Sequence, residues 1–399
     1  MAARRAYRVT FIGRYREGAA GQARSLFLGL HELGHVVQEI NVGRRPDLLR
    51  NPWRRSGGHG PVFVRLDRIA AEIAAFRPDV IFLVGGGLTF TRREMAALRE
   101  HCAVVGFTLE DPAAAGTVSR YAGMFTLHVT PSLAAARLYR EAGCRSTLYL
   151  PYAVDARFFV PRPAAPQFQA QVAVIGHATP RRIEIARTLA GQFDLRLHGR
   201  GWPFGTTGPV RGDDWFRAAW STPMLVHIPR SHDGLESPGP GVFEGTAAGR
   251  LVFTAYLDEL RPHFNYGEEI IGFEDGDDLA AKIRYYLERP GEAEAVAAAG
   301  RRRTGRDHTW AQRLDHLFAR LAGAGEQGRP WPPLDSGPAL RLSRRPARAA
   351  PPAAEAEPAP PAEPAPQEPE ARRRRRAPSR RRRRARARPS SGRVRPARG

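Results

Sequence analysis

Short apolar runs alternate with helical patterns along the first part of the chain. The runs lie at residues 7–12, 36–40, 80–84, 104–108, 125–129 and 148–150. Between the first two, Leu26, Leu30 and Leu33 recur at the spacing of one helix face. The runs are almost continuously hydrophobic, without polar alternation, which is typical of strands in a parallel sheet covered on both faces. The pattern therefore predicts an α/β domain.

A second series of the same kind follows a connector with prolines at both ends. Its apolar runs lie at residues 172–175, 195–198, 224–228, 251–254 and 270–273. Leu279, Ile283 and Leu287 form a helical stripe after the last of them. We predict two Rossmann-like α/β domains, residues 1–154 and 155–325, with a cleft between them. Ligands of such sheets bind at the carboxyl ends of the strands.

The composition changes from about residue 326 to the end at 399. Residues 351–370 alternate Pro, Ala and Glu, whereas residues 372–398 contain 15 Arg and no acid. Most of the net charge of +22 lies in this tail, which we predict to be disordered because it has almost nothing apolar to bury. Three interpretations stay open. The arginines contact nucleic acid by counterion release, contact an anionic membrane, or keep the chain soluble without a partner.

Cysteine content and hydropathy bear on location. Cys102 and Cys144 are far apart in sequence and fit neither a metal spacing nor a disulfide framework, which is typical of a reducing compartment. The N-terminus is too short and too charged before the first strand for a signal peptide, and no segment reaches the ~20 apolar residues of a membrane span. We expect a cytoplasmic protein, with peripheral contact to the inner membrane as the alternative. The His, Cys, Asp and Glu spacing predicts no metal site.

Two acids eight positions apart are the strongest candidates for ligand binding. Glu236 lies in a stretch rich in Gly and Pro, and Glu244 lies where a helix is predicted to start, just after Gly241. A helix start offers free N–H groups and a positive dipole end, which suit a diphosphate. Carboxylates beside it can accept hydrogen bonds from sugar and ribose hydroxyls. This segment therefore predicts a sugar-nucleotide site.

Residues that follow predicted strands complete the candidate site. Gly176 and His177 follow one strand of the second series and Gly199 follows the next, where backbone can approach a phosphate. Gly13 holds the equivalent place in the first series, on the acceptor side. Asp111, before a proline, could orient or deprotonate an acceptor hydroxyl. The alternative for the glycines is a tight turn between strand and helix, and for Asp111 an ordinary turn.

The tract Gly241-Val-Phe-Glu-Gly-Thr-Ala-Ala-Gly249, followed by Leu-Val-Phe-Thr, resembles the donor-binding signature of GT-B glycosyltransferases. It is most similar to the CgeB-like, spore-maturation-type family. Further segments resemble that family in the same order, namely Gly34-His35-Val-Val, Val105-Gly-Phe-Thr-Leu-Glu-Asp-Pro112, Leu150-Pro-Tyr-Ala-Val-Asp155 and the region from Ala299 to Trp310. The resemblance covers residues 7–322.

The resemblance implies transfer of a sugar from a nucleotide diphosphate sugar, without a tightly bound metal or cofactor. In that family pattern Glu244 matches the acid that hydrogen-bonds the ribose, and Glu236 the acid near the donor sugar. Arg181, Arg182 and Arg230 are the candidates for the basic residue that faces the diphosphate. The resemblance also implies retention at the anomeric carbon and a place in surface or envelope polysaccharide synthesis. The rival hypothesis is a non-catalytic nucleotide- or glycan-binding protein of the same fold, tethered to nucleic acid or membrane by its arginine tail.

Overall fold

Two α/β domains, each built on a parallel sheet, form the part of the chain that the structure describes. The structure is a computed structural model and describes residues 5–15, 21–50, 61–85 and 87–326. The predicted α/β class with two parallel sheets is confirmed. Of the tail predicted to be disordered, residue 326 is the last of a helix, and residues 327–399 lie outside the described residues.

The first domain contains a six-stranded sheet in the order β2-β1-β4-β6-β7-β8, with all neighbours parallel. Its strands are β1 (Arg8–Gly13), β2 (Val36–Asn41), β3 (Val62–Phe63), β4 (Val80–Val84), β5 (Leu88–Thr89), β6 (Ala103–Phe107), β7 (Leu127–Thr130) and β8 (Thr147–Tyr149). Its helices are α1 (Gln22–Glu32), α2 (Leu66–Phe76), α3 (Arg92–Arg99), α4 (Ala115–Val118) and α5 (Leu133–Glu141). The short strands β3 and β5 pair with each other.

The second domain contains a five-stranded parallel sheet in the order β10-β9-β11-β14-β15. Its strands are β9 (Val172–Ile175), β10 (Leu195–His198), β11 (Met224–His227), β12 (Arg230–His232), β13 (Leu235–Ser237), β14 (Leu251–Ala255) and β15 (Ile271–Phe273). The helices that follow the connector are α6 (Pro180–Ala190), α7 (Asp213–Trp220), α8 (Gly241–Ala247), α9 (Gly276–Glu288), α10 (Pro290–Asp307) and α11 (Trp310–Glu326). Strands β12 and β13 form a separate antiparallel hairpin.

Burial on both faces explains why the strands read as continuous apolar runs. In β4, Ile81 and Leu83 belong to the core on one side of the sheet, whereas Phe82 belongs to the core on the other. All five residues of this strand are buried. Side chains of a strand alternate between faces, so a sheet with two covered faces needs an apolar residue at every position.

Helix α11 packs on the first domain although it follows the second in sequence. Trp310, Leu314 and Phe318 share a core cluster with Val9 of β1 and Phe82 of β4. The apolar residues between 314 and 321 have the spacing of a helix face, and the predicted range 155–325 assigned them to the second domain. The spacing reveals an apolar face but not its partner. The crossing of α11 ties the two domains together.

Both cysteines are buried and form no disulfide. Within the described ranges, no helix has both the length and the apolar content that crossing a membrane would require. Strand β1 lies between β2 and β4, so the order of the strands reverses at β1. Strand β9 lies between β10 and β11 in the same way. Such switch points open a crevice at the carboxyl ends of the strands, which is where the two domains face each other.

Candidate active site

A cavity of about 910 Å³ lies between the two domains at this crevice. The volume falls within the range of small-molecule sites. Arg14 and Tyr15, which follow β1, line it from the first domain, and Gly176 and His177, which follow β9, line it from the second. The cavity therefore sits at the switch points of both sheets.

The charged and titratable side chains that line the cavity are predominantly basic. Two acids, Glu110 and Glu244, face four arginines and four histidines. The basic residues are Arg14, Arg182, Arg211, Arg230, His177, His198, His227 and His232. With the histidines neutral, the lining still carries an excess of positive charge, which favours an anionic ligand.

Arg182 is the most enclosed of these arginines. It lies in the first turn of α6, after the N-cap residue Thr179, whose side chain accepts a hydrogen bond from the Arg182 N–H. Its guanidinium donates to the carbonyl of His177 at 2.9 Å and to that of Ile228 at 2.7 Å. Its buried Nε has no partner within the described structure. Burial and the nearby Arg230 lower the pKa of Arg182 to about 10, so the group keeps its charge at neutral pH.

Close backbone contact joins the ends of β9 and β10. A Cβ on Gly199 would come within 1.9 Å of the Gly176 carbonyl oxygen, and one on Gly176 within 2.6 Å of Nη1 of Arg182. The indole of Trp202 donates to the same Gly176 carbonyl at 2.9 Å. Both glycines are thus required by space, and both line the cavity. Close packing at a tight turn explains why both residues are glycine. Their position in the cavity lining is also compatible with the predicted contact with a ligand.

The tautomer of His177 follows from its backbone partner. The N–H of Arg200 donates to Nδ1 of His177 at 3.0 Å, so a neutral ring carries its proton on Nε2. Burial and the positive charges of Arg200, Arg182 and Arg211 lower the pKa of His177. The neutral ring therefore has one N–H donor, and His177 lines the cavity.

Glu244 is held between the domains. It lies on α8, lines the cavity, and its Oε1 accepts a hydrogen bond from Nε2 of Gln22 at 2.8 Å. Burial raises the pKa of Glu244, whereas the Gln22 hydrogen bond and the charge of Arg230 oppose that rise. A carboxylate in this position can accept a further hydrogen bond from a hydroxyl of a ligand.

Gly241 allows α8 to begin against a histidine ring. The His227 Nε2 donates to the carbonyl of Pro238, and a Cβ on Gly241 would come within 2.4 Å of Nδ1 of the same ring. Burial lowers the pKa of His227 to about 3, so the ring stays neutral. Both Gly241 and His227 line the cavity.

Arg230 bridges the two domains across the cavity. Its Nη1 donates to the hydroxyl of Tyr152 at 3.1 Å and to the carbonyl of Leu109 at 3.4 Å. Its guanidinium also lies over the Tyr152 ring, 5.6 Å from the centroid. Arg230 thus brings a positive charge from β12 to a wall built by the first domain.

Glu236 lies elsewhere than its sequence context indicated. The segment is strand β13 of a hairpin, in which Glu236 pairs with Ser231 of β12, and is not part of a loop. The carboxylate forms an ion pair with Nη1 of Arg181 at 2.7 Å, and the side chains of Glu236 and Arg181 are 39% and 43% exposed. Neither residue lines the cavity. The structure therefore does not bring Glu236 and Glu244 together in one lining.

Asp111 is buried beneath the cavity and does not line it. It is fully buried and precedes a cis peptide bond to Pro112. Its carboxylate accepts hydrogen bonds from Thr130 at 2.5 Å and from the hydroxyl of Tyr139 at 2.9 Å. Burial raises the pKa of Asp111 to about 7. These contacts are those of a residue that holds a loop in place.

Gly13 ends β1 and also lies outside the lining. A Cβ at this position would come within 2.5 Å of the Phe11 ring, so packing explains why the residue is glycine. The residues after it, Arg14 and Tyr15, are those that reach the cavity.

The cavity also contains residues that the sequence did not single out. Glu110 and Gln22 line it from the first domain, together with Tyr152 of the connector. Glu110 precedes Asp111 in the segment that resembles the family, and the sequence context indicated Asp111 and not Glu110 as the candidate acid. Gln22 starts α1 and had no motif of its own. Within the described parts of the chain, no group of three or more His, Cys, Asp or Glu side chains could hold a metal ion.

Comparison with known proteins gives a family match for most of the second domain. Residues 181–319 match the family described as glycosyl transferase-like. The matched segment begins at the start of α6 and includes most of the cavity lining of that domain. No curated protein sequence matches the chain significantly.

Solved structures share the architecture at low sequence identity. A glycosyltransferase from Rickettsia africae is 12% identical with a TM-score of 0.56, and covers 81% of this chain and 100% of its own. Sucrose-phosphate synthase from Thermosynechococcus elongatus is 14% identical with a TM-score of 0.54, and covers 80% of this chain and 100% of its own. HepE of Anabaena in complex with UDP is 13% identical with a TM-score of 0.51, and covers 79% of this chain and 100% of its own. The chain therefore has the GT-B fold of these glycosyltransferases, and its second domain carries the glycosyl transferase-like match.

Proposed function

We propose that the protein is a glycosyltransferase that moves a sugar from a nucleoside diphosphate sugar to an acceptor bound in the same cleft. The observation that carries the proposal is the cavity at the switch points of both sheets, lined by four arginines and by Glu244. The glycosyl transferase-like match over residues 181–319 and the shared fold support it. In the HepE structure the bound ligand is UDP.

The diphosphate would lie against Arg182 and Arg230. The buried Nε of Arg182 has no partner within the described structure, and the guanidinium is held in place by its hydrogen bond to the carbonyl of His177. Arg230 carries a second positive charge at the opposite wall. Of the three arginines suggested by the sequence, Arg181 is the least suited, because it pairs with Glu236 outside the lining. Fixed charges at the departing diphosphate stabilise the transition state without reorganisation.

Glu244 would hold the ribose, as the family pattern implies. One carboxylate oxygen is committed to Gln22, which leaves the other for a hydroxyl. Glu110 is the acid on the first-domain wall, so we assign it the contact with the acceptor hydroxyl that was predicted for Asp111. Asp111 would serve by holding the loop that carries Glu110.

Three finer features of the proposed function rest on the resemblance alone. The CgeB-like subtype, retention at the anomeric carbon and a role in envelope polysaccharide synthesis are implied by the resemblance. A role for Glu236 near the sugar would require that its carboxylate exchange Arg181 for the ligand. Binding of the arginine tail to nucleic acid or to an anionic membrane remains a proposal from composition.

The test combines binding and turnover. Thermal shift with UDP, GDP and dTDP sugars identifies the donor, since a bound ligand raises apparent stability by mass action. Release of free nucleoside diphosphate in the presence of candidate acceptors then measures transfer. Glu244→Gln should lower the donor affinity at least about tenfold, since a hydrogen bond to a charged group is lost. Glu288→Gln is the control, because this exposed glutamate lies on α9 outside the lining.

Deletion of residues 327–399 separates the enzyme from its rival. Turnover that survives the deletion and is lost in Glu244→Gln supports the transferase. Donor binding without turnover across all acceptors would favour the non-catalytic binding protein. Failure of every nucleotide to bind would contradict the transferase and the nucleotide-binding form of the rival.

A further inference from the structure

Gln22 and Glu244 belong to different domains and meet at the cavity. Gln22 is the first residue of α1, and Glu244 lies on α8, 222 positions later in sequence. Nε2 of Gln22 donates to Oε1 of Glu244 at 2.8 Å, and both residues line the cavity. The acid of the second domain thus takes a hydrogen-bond donor from the first.

Trp310 fixes which end of the Gln22 amide faces Glu244. The indole nitrogen can only donate, and it donates to Oε1 of Gln22 at 3.2 Å. The amide oxygen is therefore directed to Trp310 and the NH₂ group to the carboxylate. The reverse orientation is excluded. It would place the NH₂ group against the indole N–H, which is also a donor, and the amide oxygen against the carboxylate, which is also an acceptor.

The surroundings of Trp310 make the amide a fixed group. Trp310 is 1% exposed and starts α11 in the core of the first domain. A Cβ on Gly29 of α1 would come within 3.1 Å of Trp310, so the two helices pack closely at this point. The series Trp310, Gln22 and Glu244 therefore runs from a rigid core to the cavity.

Such a contact sets the direction of the carboxylate before any ligand arrives. A half-buried carboxylate without a partner loses hydration and can rotate between several orientations, and ligand binding must then supply the ordering. With Oε1 held by Gln22, Oε2 is the oxygen left for a hydroxyl of the ligand. The donor also favours the ionised acid, which is the better acceptor.

We propose that Gln22 is a positioning residue for the nucleoside diphosphate sugar, and that it orients Glu244 for the ribose from the opposite domain. The inference rests on the proposed function, since it assumes that Glu244 contacts the ribose of the donor. It adds that the donor site of the second domain is incomplete without α1 of the first.

The experiment replaces Gln22 by Met, which is similar in shape but forms no comparable hydrogen bond. UDP, GDP and dTDP are titrated in parallel by calorimetry with the full chain, and the nucleotide that the wild type binds best is used for the variants. We expect Gln22→Met to weaken binding about tenfold, the size of one hydrogen bond to a charged group. In turnover the KM for the donor should rise by a similar factor, with kcat changed less than about threefold, because the contact acts on binding.

Two further variants test the mechanism rather than the fold. Gln22→Glu keeps the acceptor for Trp310 but places a like charge against Glu244, and should weaken binding at least as much as Gln22→Met. In a Glu244→Gln background, Gln22→Met should have little additional effect, because the carboxylate it orients is absent. Gln192→Met is the matched control, since Gln192 donates to the Thr188 carbonyl on the surface of the second domain.

Each outcome decides one claim. If the wild type binds none of the nucleotides, the proposed function fails and the inference falls with it. If the wild type binds one of them, and Gln22→Met and Gln22→Glu bind it equally well or more tightly, the donor-binding proposal stands and the positioning role is overturned. If Gln22→Met lowers affinity equally with and without the Glu244 carboxylate, Gln22 acts on the fold alone, which also overturns it.

Discussion

Replacing Asp111 by asparagine should destabilise the protein by an amount that depends on pH. The carboxylate is fully buried and accepts hydrogen bonds from Thr130 and Tyr139. At low pH Asp111 is a protonated carboxyl group, and asparagine keeps its shape and its carbonyl acceptor but replaces the single O–H donor by an NH₂ group, whose second N–H needs an acceptor in this buried site. A buried polar group that loses its partner costs about 1–3 kcal/mol, so we expect a loss of this size at low pH.

The pH dependence follows from the raised pKa. Burial raises the pKa of Asp111 from its ordinary 3.8 to about 7. The folded state therefore binds this proton more tightly than the unfolded state. The stabilisation by the protonated group is fully present below about pH 4 and is lost as the pH rises through about 7. Between about pH 5.5 and pH 8 the lost stabilisation amounts to about 2 kcal/mol.

Asparagine does not titrate, so the free energy of unfolding of the wild type, relative to that of Asp111→Asn, should fall by about 2 kcal/mol from about pH 5.5 to pH 8. Urea unfolding followed by circular dichroism at the two pH values measures it. Other titrating groups cancel in the difference. Asp47→Asn, at an exposed position of the same domain, is the control for the chemical change itself. A difference for Asp111→Asn that does not change with pH would refute the reasoning. Turnover lost at unchanged stability would instead indicate the catalytic role that the sequence suggested.

Three further substitutions test the contacts that build the cavity. Gly199→Ala should abolish nucleotide binding or folding, because its Cβ would lie 1.9 Å from the Gly176 carbonyl, whereas Gly191→Ala, with nothing within 4 Å, should melt like the wild type. Glu259→Ala should lower the free energy of unfolding by about 1–2 kcal/mol in thermal or urea melts, because the Leu133 N–H loses its acceptor; an unchanged melt would contradict this. Thr246→Val should cost a similar ~1–2 kcal/mol by leaving the buried Thr304 hydroxyl without its 2.7 Å partner, and equal stability of the two proteins would exclude that contact as stabilising.

The parallel strands could be predicted from the sequence because most of their residues are buried and apolar. Strands β4 (Val80–Val84), β9 (Val172–Ile175) and β10 (Leu195–His198) begin and end at the residues expected. Others differ by one or two residues at their ends, where the last backbone hydrogen bond rather than hydrophobicity decides the boundary. In β4, which lies inside a sheet covered on both faces, all five residues are apolar and buried, so no polar residue interrupts the pattern.

The β12–β13 hairpin was missed, although one signal was present. Its strands have three residues each, too few for an alternation pattern to appear. The turn between them is Asp233-Gly234, and both residues have positive φ, 50° and 77°. Asp-Gly with two positive φ values is a favoured two-residue hairpin turn. The prolines and glycines that follow made the whole segment resemble a loop, and this misplaced Glu236.

The candidate site was predictable where a residue follows a strand, and unpredictable where it depends on the partner domain. Gly176, His177 and Glu244 line the cavity as their local context suggested. Gln22 had no pattern that points to Glu244, because the contact exists only after α1 and α8 are brought together. Asp111 is fully buried and does not line the cavity. A single residue step separates Glu110 in the lining from Asp111 in the core, and no sequence rule resolves one residue in an irregular turn.

The contacts across the cleft show why both domains are needed for the site. Gln22 donates to Glu244, Arg230 donates to the Leu109 carbonyl, and Glu259 accepts from the Leu133 N–H at the start of α5. Each contact joins a side chain of one domain to a group of the other, and the first two lie in the cavity itself. A movement that separated the domains by a few ångströms would break all three, since hydrogen bonds weaken steeply beyond their normal length. We therefore expect binding of the proposed donor in this cavity and docking of the two domains to stabilise each other.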